Sequence, residues 1–510
     1  MSLADSLIHT SQRELRESQH LMSSLPAEVV LKIFNTAVAY STERWIEYLI
    51  AGGPLIPDPA VRRYDTRPRV HDDDIFQFFL ETRDYPKPYD WIRLTHVCRA
   101  WRQLALSTTS LWTHIAIAGK SGDIAMEMLR RSGDQPLTVT CEWRRELAGS
   151  LRDIISHFVS RISIAVLPMA LDLFTPTLAQ NAANLERLIF VTPDTLGNPA
   201  TEFDGIPYNF PSLKYLRTVA VLSDSFAHLF SRTLTSLELR YHWEELDWRQ
   251  EPNWAHPSDV LADALMHTPL LEILRVDVYE WTDPVTAAPI LPNLRQLDIR
   301  GAVLPCVALY QALQIPRNTR IQLDCKASEE THVASPDEAI QAIASALTDQ
   351  SVIDGSKLEP AVAFAFGGNT CEYQLRGWRS PLLVDGSLND DHADVLIILP
   401  IRCTRDAVMT LLTAIPLPRP EILRLGPFPF TESDARTALT LPTLPSLKTV
   451  TVKAVTSHVA CSVVASTPAS DVYFHDMEFR RIDHKKPYSE VQQVWKQSTY
   501  SITKNFSRTC

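Results

Sequence analysis

Apolar positions change their period along this chain. Upstream of residue 119 they fall at helical spacing, and further on they come in short strand-like blocks. In SSLPAEVVLKIFNTAVAY, residues 23–40, Val29, Val30, Ile33, Phe34, Ala37 and Val38 cover about half of one helix surface. Pro26 suits the first helical position, where the N–H it lacks would have no partner, and Glu28 suits the positive end of the helix dipole. A second stripe runs through Trp91, Leu94, Val97, Cys98, Trp101, Leu104 and Ala105, with Arg93, Arg99, Arg102 and Gln103 off it. Two short helices cannot bury such faces by themselves, so the rest of the chain or another protein covers them. Residues 41–88 separate the two stripes. They carry Pro54, Pro57, Pro59, Pro68, Pro86 and Pro88, the polar run Arg69-Val70-His71-Asp72-Asp73-Asp74, and two apolar patches, WIEYLI (45–50) and IFQFFL (75–80). This insert is expected to be a mobile loop outside the helical core. Its length is tolerable because closure cost grows only with the logarithm of loop length.

Downstream, a Leu-x-x-Leu-x-apolar pattern recurs, often led by proline. It occurs in NLERLIFV (184–191), PSLKYLRTVAV (211–221), LTSLELRY (234–241), PLLEILRVDV (269–278), PNLRQLDIR (292–300), PEILRLG (420–426) and PSLKTVTV (445–452). Anchors Leu185 and Leu213 stand 28 apart, and Leu271 and Leu294 stand 23 apart. That period predicts leucine-rich-repeat-like units, each a strand with a helix, stacked in a curved solenoid. DIAMEMLRRSG (123–133), ELAGSLRDIISHF (146–158), DVLADALMHT (259–268) and DAVMTLLTAI (406–415) read as its helices, and LTVTCEW (137–143) and RISIAV (161–166) as early strands. Residues 326–394 fit the pattern weakly, with a helix at 338–349 and a strand at 361–366. The polar tail, 476–510, either caps the array or is partly disordered.

The two helical stripes share a further order: Leu25-Pro26-x-Glu28, Ile33-Phe34, then Leu94-x-x-Val97-Cys98-Arg99-x-Trp101-Arg102-x-Leu104-Ala105, then Leu111-Trp112-x-x-Ile115. This resembles an F-box, most closely the split motifs of F-box proteins from filamentous and mushroom-forming fungi. The resemblance implies a three-helix module that binds the Skp adaptor of SCF (Skp–cullin–F-box) ubiquitin ligases. By position, the residues facing the adaptor or supporting that face are Leu25, Pro26, Glu28, Val29, Ile33, Phe34, Leu94, Val97, Cys98, Trp101, Leu104, Leu111 and Trp112. The implied fold class is α/β. A polar segment, 1–22, precedes a small all-α F-box, 23–118, and an α/β solenoid, 119–475. The implied function is that of a substrate receptor, reaching a cullin–RING ligase through the adaptor and holding a target protein on the repeats. The alternatives are a scaffold that binds the adaptor without a cullin, and a protein-interaction repeat protein whose F-box is a relic.

Composition narrows the remaining options. Hydrophobic residues make up 45% of the 510, which argues against general disorder. The net charge of −11 disfavours nucleic acid and anionic membrane as main partners. No apolar run long enough for a bilayer and no secretory leader is visible, and the 8 cysteines form no CxxC pair. A cytoplasmic or nuclear protein with reduced thiols is expected. With only 15 glycines, phosphate cradles are scarce, and Gly119-Lys120-Ser121 lacks the upstream glycine of a P-loop. The runs 71–74 and 389–394 are acidic without the ligand spacing of a calcium loop. No nucleophile elbow and no paired-histidine zinc motif occurs. Cys98, on an apolar stripe, is expected to be a buried structural thiol. Neither a catalytic site, a metal nor a cofactor is expected.

Strand alternation adds one candidate surface. With Leu274, Val276 and Val278 inward, Arg275, Asp277 and Tyr279 face outward. The same phase brings Glu238, Arg240, His242, Asp298 and Arg300 beside them as a mixed-charge patch for the target protein.

Overall fold

The computed structural model combines helices with mostly parallel strands. It describes residues 25–50, 87–117, 122–141, 154–168 apart from 156, 181–191, 210–218, 229–240, 257–278, 289–325 and 341–346 apart from 344, together with strands between 363 and 503. The chain divides into two compact units, Met1–Ala220 with His242–Pro252, and Val221–Tyr241 with Asn253–Cys510.

The first unit opens with α1 (Ala27–Ile50), a 3-10 turn at Asp90–His96, α2 (Arg99–Ser107) and a second 3-10 turn at Thr109–Trp112. Five strands follow: β1 (His114–Ile117), β2 (Leu137–Cys141), β3 (Ile162–Pro168), β4 (Arg187–Val191) and β5 (Tyr215–Thr218). They pair in that order, all parallel. Helix α3 (Gly122–Arg131) lies between β1 and β2 in sequence and packs against β1. Of the helix expected at 146–158, Ile154, Ile155, His157 and Phe158 are described, and they are helical.

Two expectations for this unit are corrected. The first helix does not end near residue 40; it runs to Ile50, so WIEYLI is helix and not the start of a loop. The physical reason is burial. Residues 41–50 contain no glycine or proline, and Trp45, Ile46, Tyr48 and Leu49 pack on Ala116, Val166, Ile189 and Val191 of the sheet. Residues 51–86, including IFQFFL at 75–80, lie outside the described residues. The second stripe is also not one helix. Thr95 bends its hydroxyl back to the Ile92 carbonyl, 2.7 Å, and Cys98 is extended at φ −155, ψ 169. A new helix starts after Cys98, whose sulfur accepts from the Trp101 N–H at 3.5 Å. Cys98 is thus a half-exposed helix cap, not a core thiol.

The leucine pattern has a local cause that repeats. Leu185, Leu213, Leu234, Leu271 and Leu294 are all at most 2% exposed. Each donates its N–H to the carbonyl three residues back, at 3.0–3.2 Å, and a strand begins two residues later. Asn184 and Asn293 each donate to the backbone 24 residues upstream, Ser160 O at 2.6 Å and Pro269 O at 2.8 Å, tying one turn to the previous one.

The second unit contains β6 (Ser236–Leu239), α4 (Pro257–Met266), β7 (Ile273–Val278), β8 (Gln296–Gly301), α5 (Val303–Ala312) and β9 (Arg320–Cys325). Strands β6 to β9 are parallel neighbours. Helix α5 and strand β9 were not foreseen, because VLPCVALYQA is apolar all round and shows no stripe. At Gly301, φ 150, an added Cβ would stand 2.8 Å from the Val278 backbone, so the close approach of β7 and β8 there requires glycine. Beyond β9 come β10 (Ala363–Gly368), β11 (Glu372–Trp378), β12 (Leu383–Val384), β13 (Ser387–Leu388), β14 (Val395–Pro400), β15 (Ile422–Leu425), β16 (Thr449–Lys453), β17 (Asp471–His475) and β18 (Tyr500–Thr503). The order β9-β14-β11-β10-β15-β16-β17-β18 holds an antiparallel stretch, β14-β11-β10, inside a parallel sheet. This departure accounts for the weak pattern of 326–394. Part of the tail is a strand, β18, antiparallel to β17. The helix expected at 406–415 lies outside the described residues, and of the one at 338–349 the described residues are helical.

Candidate functional site

The helical module is built around aromatic rings. Phe34 of α1 meets Trp91 edge-on at 6.3 Å between centroids and Trp101 of α2 at 5.6 Å; Trp91 meets Trp112 at 5.1 Å. Such edge-to-face pairs add to plain burial. Val30, Phe34, Trp91, Trp101, Ala105, Leu111 and Trp112 are all buried. The Trp112 indole donates to the Ala105 carbonyl at 2.8 Å, and Arg131 of α3 lies over its ring at 4.4 Å, fastening the module to α3. Pro26 precedes the helix, and its carbonyl accepts from the Val29 and Val30 N–H groups at 3.0 and 3.1 Å, so it caps the helix and does not occupy its first turn.

The expected adaptor residues divide into two sets. Phe34, Trp101, Leu111 and Trp112 are interior. They can support a binding face but cannot form it. Leu25, Leu94, Val97, Cys98 and Leu104 are half-buried, while Pro26 and Glu28 are exposed. Val29 and Ile33 are 43% and 36% exposed. Val29 and Ile33 stand one turn apart on α1, beside the buried pair Val30 and Phe34. The wide apolar face of α1 is therefore two stripes, one in the core and one in solvent. Leu106 of α2, 47% exposed, was not singled out by the sequence reading.

Behind the module, α1 covers the outer face of the sheet with a chain of polar contacts that the sequence reading missed. The Trp45 indole donates to Thr140 Oγ1 at 3.1 Å; Thr140 Oγ1 and His114 Nε2 are 3.0 Å apart, and His114 Nδ1 and Thr42 Oγ1 are 3.0 Å apart. Burial pushes the His114 imidazole down to about 3, so it is neutral at neutral pH. The Tyr89 hydroxyl accepts from the Ala116 N–H at 2.7 Å and donates to the Ala116 carbonyl at 2.9 Å. It thereby closes the open edge of β1, the first strand of its sheet. Burial raises the Tyr89 phenol well above its ordinary value, outweighing the bond to Ala116.

In the second unit, Leu274, Val276 and Val278 are buried, and the charged residues between them share the opposite face. They do not stand free. Arg275 pairs with Glu238; Arg240 lies 3.2 Å from Asp277 and 3.6 Å from Asp298; Arg300 lies 3.4 Å from Asp298 and 3.8 Å from Asp324. The carboxylates of Glu238 and Asp298 are 5% exposed, beneath arginines of 16–37%. Burial alone would lower the Arg300 value, but Asp298, Asp324 and Asp277 raise it and hold it charged. His242 and Tyr279 lie outside the described residues. No group of three or more metal-ligating side chains occurs among the described residues.

Comparison with known proteins bears on the first site. A family model described as F-box-like matches residues 74–118, which hold the second half of the module and β1. Helix α1 lies before the matched range. No curated protein matches the chain.

Proposed function

We propose that this protein is the substrate-recognition subunit of an SCF-type ubiquitin ligase, with the α1–α2 module as its Skp-binding part. F-box domains generally bind that adaptor, and an F-box-like domain is present at 74–118. The observation that carries the reading is the solvent-facing apolar stripe of α1, with Val29 and Ile33 beside exposed Pro26 and half-buried Leu25. Core demand does not explain it, since Val30 and Phe34 fill the core. In this reading the strand-and-turn repeats form a leucine-rich-repeat-like solenoid that holds the target. The chain makes no bond itself and leaves ubiquitin transfer to the cullin–RING machinery in the cytoplasm or nucleus.

The test is co-purification of the adaptor with the full chain and with Val29→Asp/Ile33→Asp. The exposed positions leave folding intact, and two anchors near an interface centre cost 2 kcal/mol or more, at least about thirtyfold in affinity. Undiminished binding in a folded variant refutes the assignment. Recovery of a cullin in the same pull-down separates the ligase subunit from a scaffold that binds the adaptor alone.

A further inference from the structure

Strand β4 carries a cation with no carboxylate beside it. Arg187 shares a sheet face with Ile189 and Val191, the residues that α1 covers. The register sets Ile164 of β3 and Tyr215 of β5 directly opposite it, with Val166 and Arg217 next on the same face. None of these is acidic, and one is a second cation. Glu186, adjacent in sequence, is held by Lys214 at 3.1 Å. The Arg187 guanidinium lies over the Tyr215 ring at 4.5 Å. Among the described residues it enters no ion pair, and its Nε, shielded from solvent, has no hydrogen-bond partner. The side chain as a whole is half-buried, and Tyr215 and Ile50 stand partly buried at the margin of the α1–sheet cluster. Stability does not account for this arrangement. A shielded donor without a partner costs free energy, whereas an apolar side chain, as at Ile164 and Ile189 on the same face, fills space without that cost. The strand arginines of the second unit are compensated: Arg275 has Glu238, and Arg300 has Asp298 and Asp324.

We propose that Arg187, stacked on Tyr215, is a recognition site for a single carboxylate, an aspartate or glutamate side chain of the protein that this chain recruits. The proposal rests on the reading of the chain as a substrate receptor and names the chemistry of one contact. Three features select the ligand. With Nε shielded, the terminal edge of the guanidinium, Nη1 and Nη2, is what remains to bind, and a planar carboxylate matches its two parallel N–H groups. The ring beneath restrains the guanidinium before a ligand arrives, so less freedom is lost on binding. A single guanidinium balances one carboxylate, whereas a phosphate dianion would leave excess negative charge beside the apolar residues Ile164, Ile189 and Ile50. Those same neighbours keep water away from one side of the pair and strengthen it.

The experiment uses the purified full chain on an immobilised peptide library with one fixed central residue and random flanks. Aspartate or glutamate at the centre should retain at least about tenfold more chain than asparagine, glutamine or phosphoserine. Arg187→Met should abolish that preference. Arg187→Lys should keep only part of it, because an ammonium lacks the fork. Arg295→Gln, at an exposed arginine of the second unit, should leave it unchanged within about twofold. Equal retention by acid and amide, a preference for phosphoserine, or an acid preference that survives Arg187→Met overturns the proposal. A urea titration of the same variant separates recognition from a merely structural role. The midpoint of the first unit should hold or rise in Arg187→Met, since a shielded, unpartnered donor is removed. A fall of more than about 0.5 M makes Arg187 a structural residue and also overturns the proposal. Adaptor pull-down from the same preparation keeps the two readings apart. Adaptor bound with no acid preference sinks the carboxylate site alone; adaptor unbound sinks the ligase reading.

Discussion

Replacing Tyr89 by Phe removes one oxygen and tests how the sheet of the first unit is closed. The ring stays, so its packing against the α1–sheet cluster is kept. What is lost is both hydrogen bonds to Ala116, 2.7 Å from its N–H and 2.9 Å to its carbonyl. Ala116 is 0% exposed, so neither backbone group regains a partner from water without local opening. A buried polar group left unpaired costs about 1–3 kcal/mol, and two of them on one residue give about 2–5 kcal/mol. With a urea slope of about 2 kcal/mol/M, the unfolding midpoint of this unit falls by roughly 1–2 M. Tryptophan fluorescence follows it, since Trp45, Trp91, Trp101 and Trp112 all belong to this unit. Amide exchange at 114–117 should accelerate in native buffer. A loss below about 0.5 kcal/mol, with exchange at Ala116 unchanged, refutes the claim that the hydroxyl seals the edge.

Three further outcomes follow from the same geometry. Phe34→Ala empties the centre of the aromatic cluster and should destabilise the first unit by about 3–5 kcal/mol, measured by chemical denaturation; a cost under 1 kcal/mol would place Phe34 outside the core. His114, neutral when folded and held at about 3, binds a proton below about 6.5 only when unfolded, so its contribution is complete above that pH and erodes below it. Between pH 7 and pH 5 the first unit should lose about 2 kcal/mol through this residue, and His114→Gln should flatten the difference in paired urea titrations. Arg275→Met leaves Glu238 almost buried without its partner and should cost about 2 kcal/mol, discounted for the 32% exposure of the arginine; adding Glu238→Gln should restore most of it, and a double variant no better than the single would deny the pairing.

Legibility in the sequence followed the strength of local signals. Strands at 187–191, 215–218, 236–239, 273–278 and 296–301 were readable because a leucine turn precedes each one. Helices α3 and α4 were readable from their stripes. What stayed hidden depends on distant partners. Nothing within 41–50 says whether Trp45 and Leu49 belong to a loop or a helix, since the deciding contacts are with Ala116, Val166 and Ile189. The break at Thr95–Cys98 was masked because a continuous stripe and two short helices satisfy nearly the same apolar spacing. At the module, the sequence named the participating residues but not their sides: Val29 and Val30 are chemically alike, and only packing makes one a candidate contact and the other core. The charged face showed the reverse. The phase of β7 and β8 was readable from alternation, but the depth of Glu238 and Asp298 was set by the arginines folded over them.

The reach of α1 also fixes a timetable for biogenesis. Its N-terminal half waits for Trp91 and Trp101, but its C-terminal half waits for Ile189 and Val191, roughly 140 residues beyond Ile50. At ribosomal speeds of 5–20 residues per second, that gap lasts on the order of ten seconds. During it the nascent chain displays Trp45, Ile46, Tyr48 and Leu49 with no sheet to receive them, a ready handhold for chaperones. Translation that stalls before β4 would leave a polypeptide carrying α1 and α2 and an uncovered apolar flank, suited to be captured and removed rather than put to use.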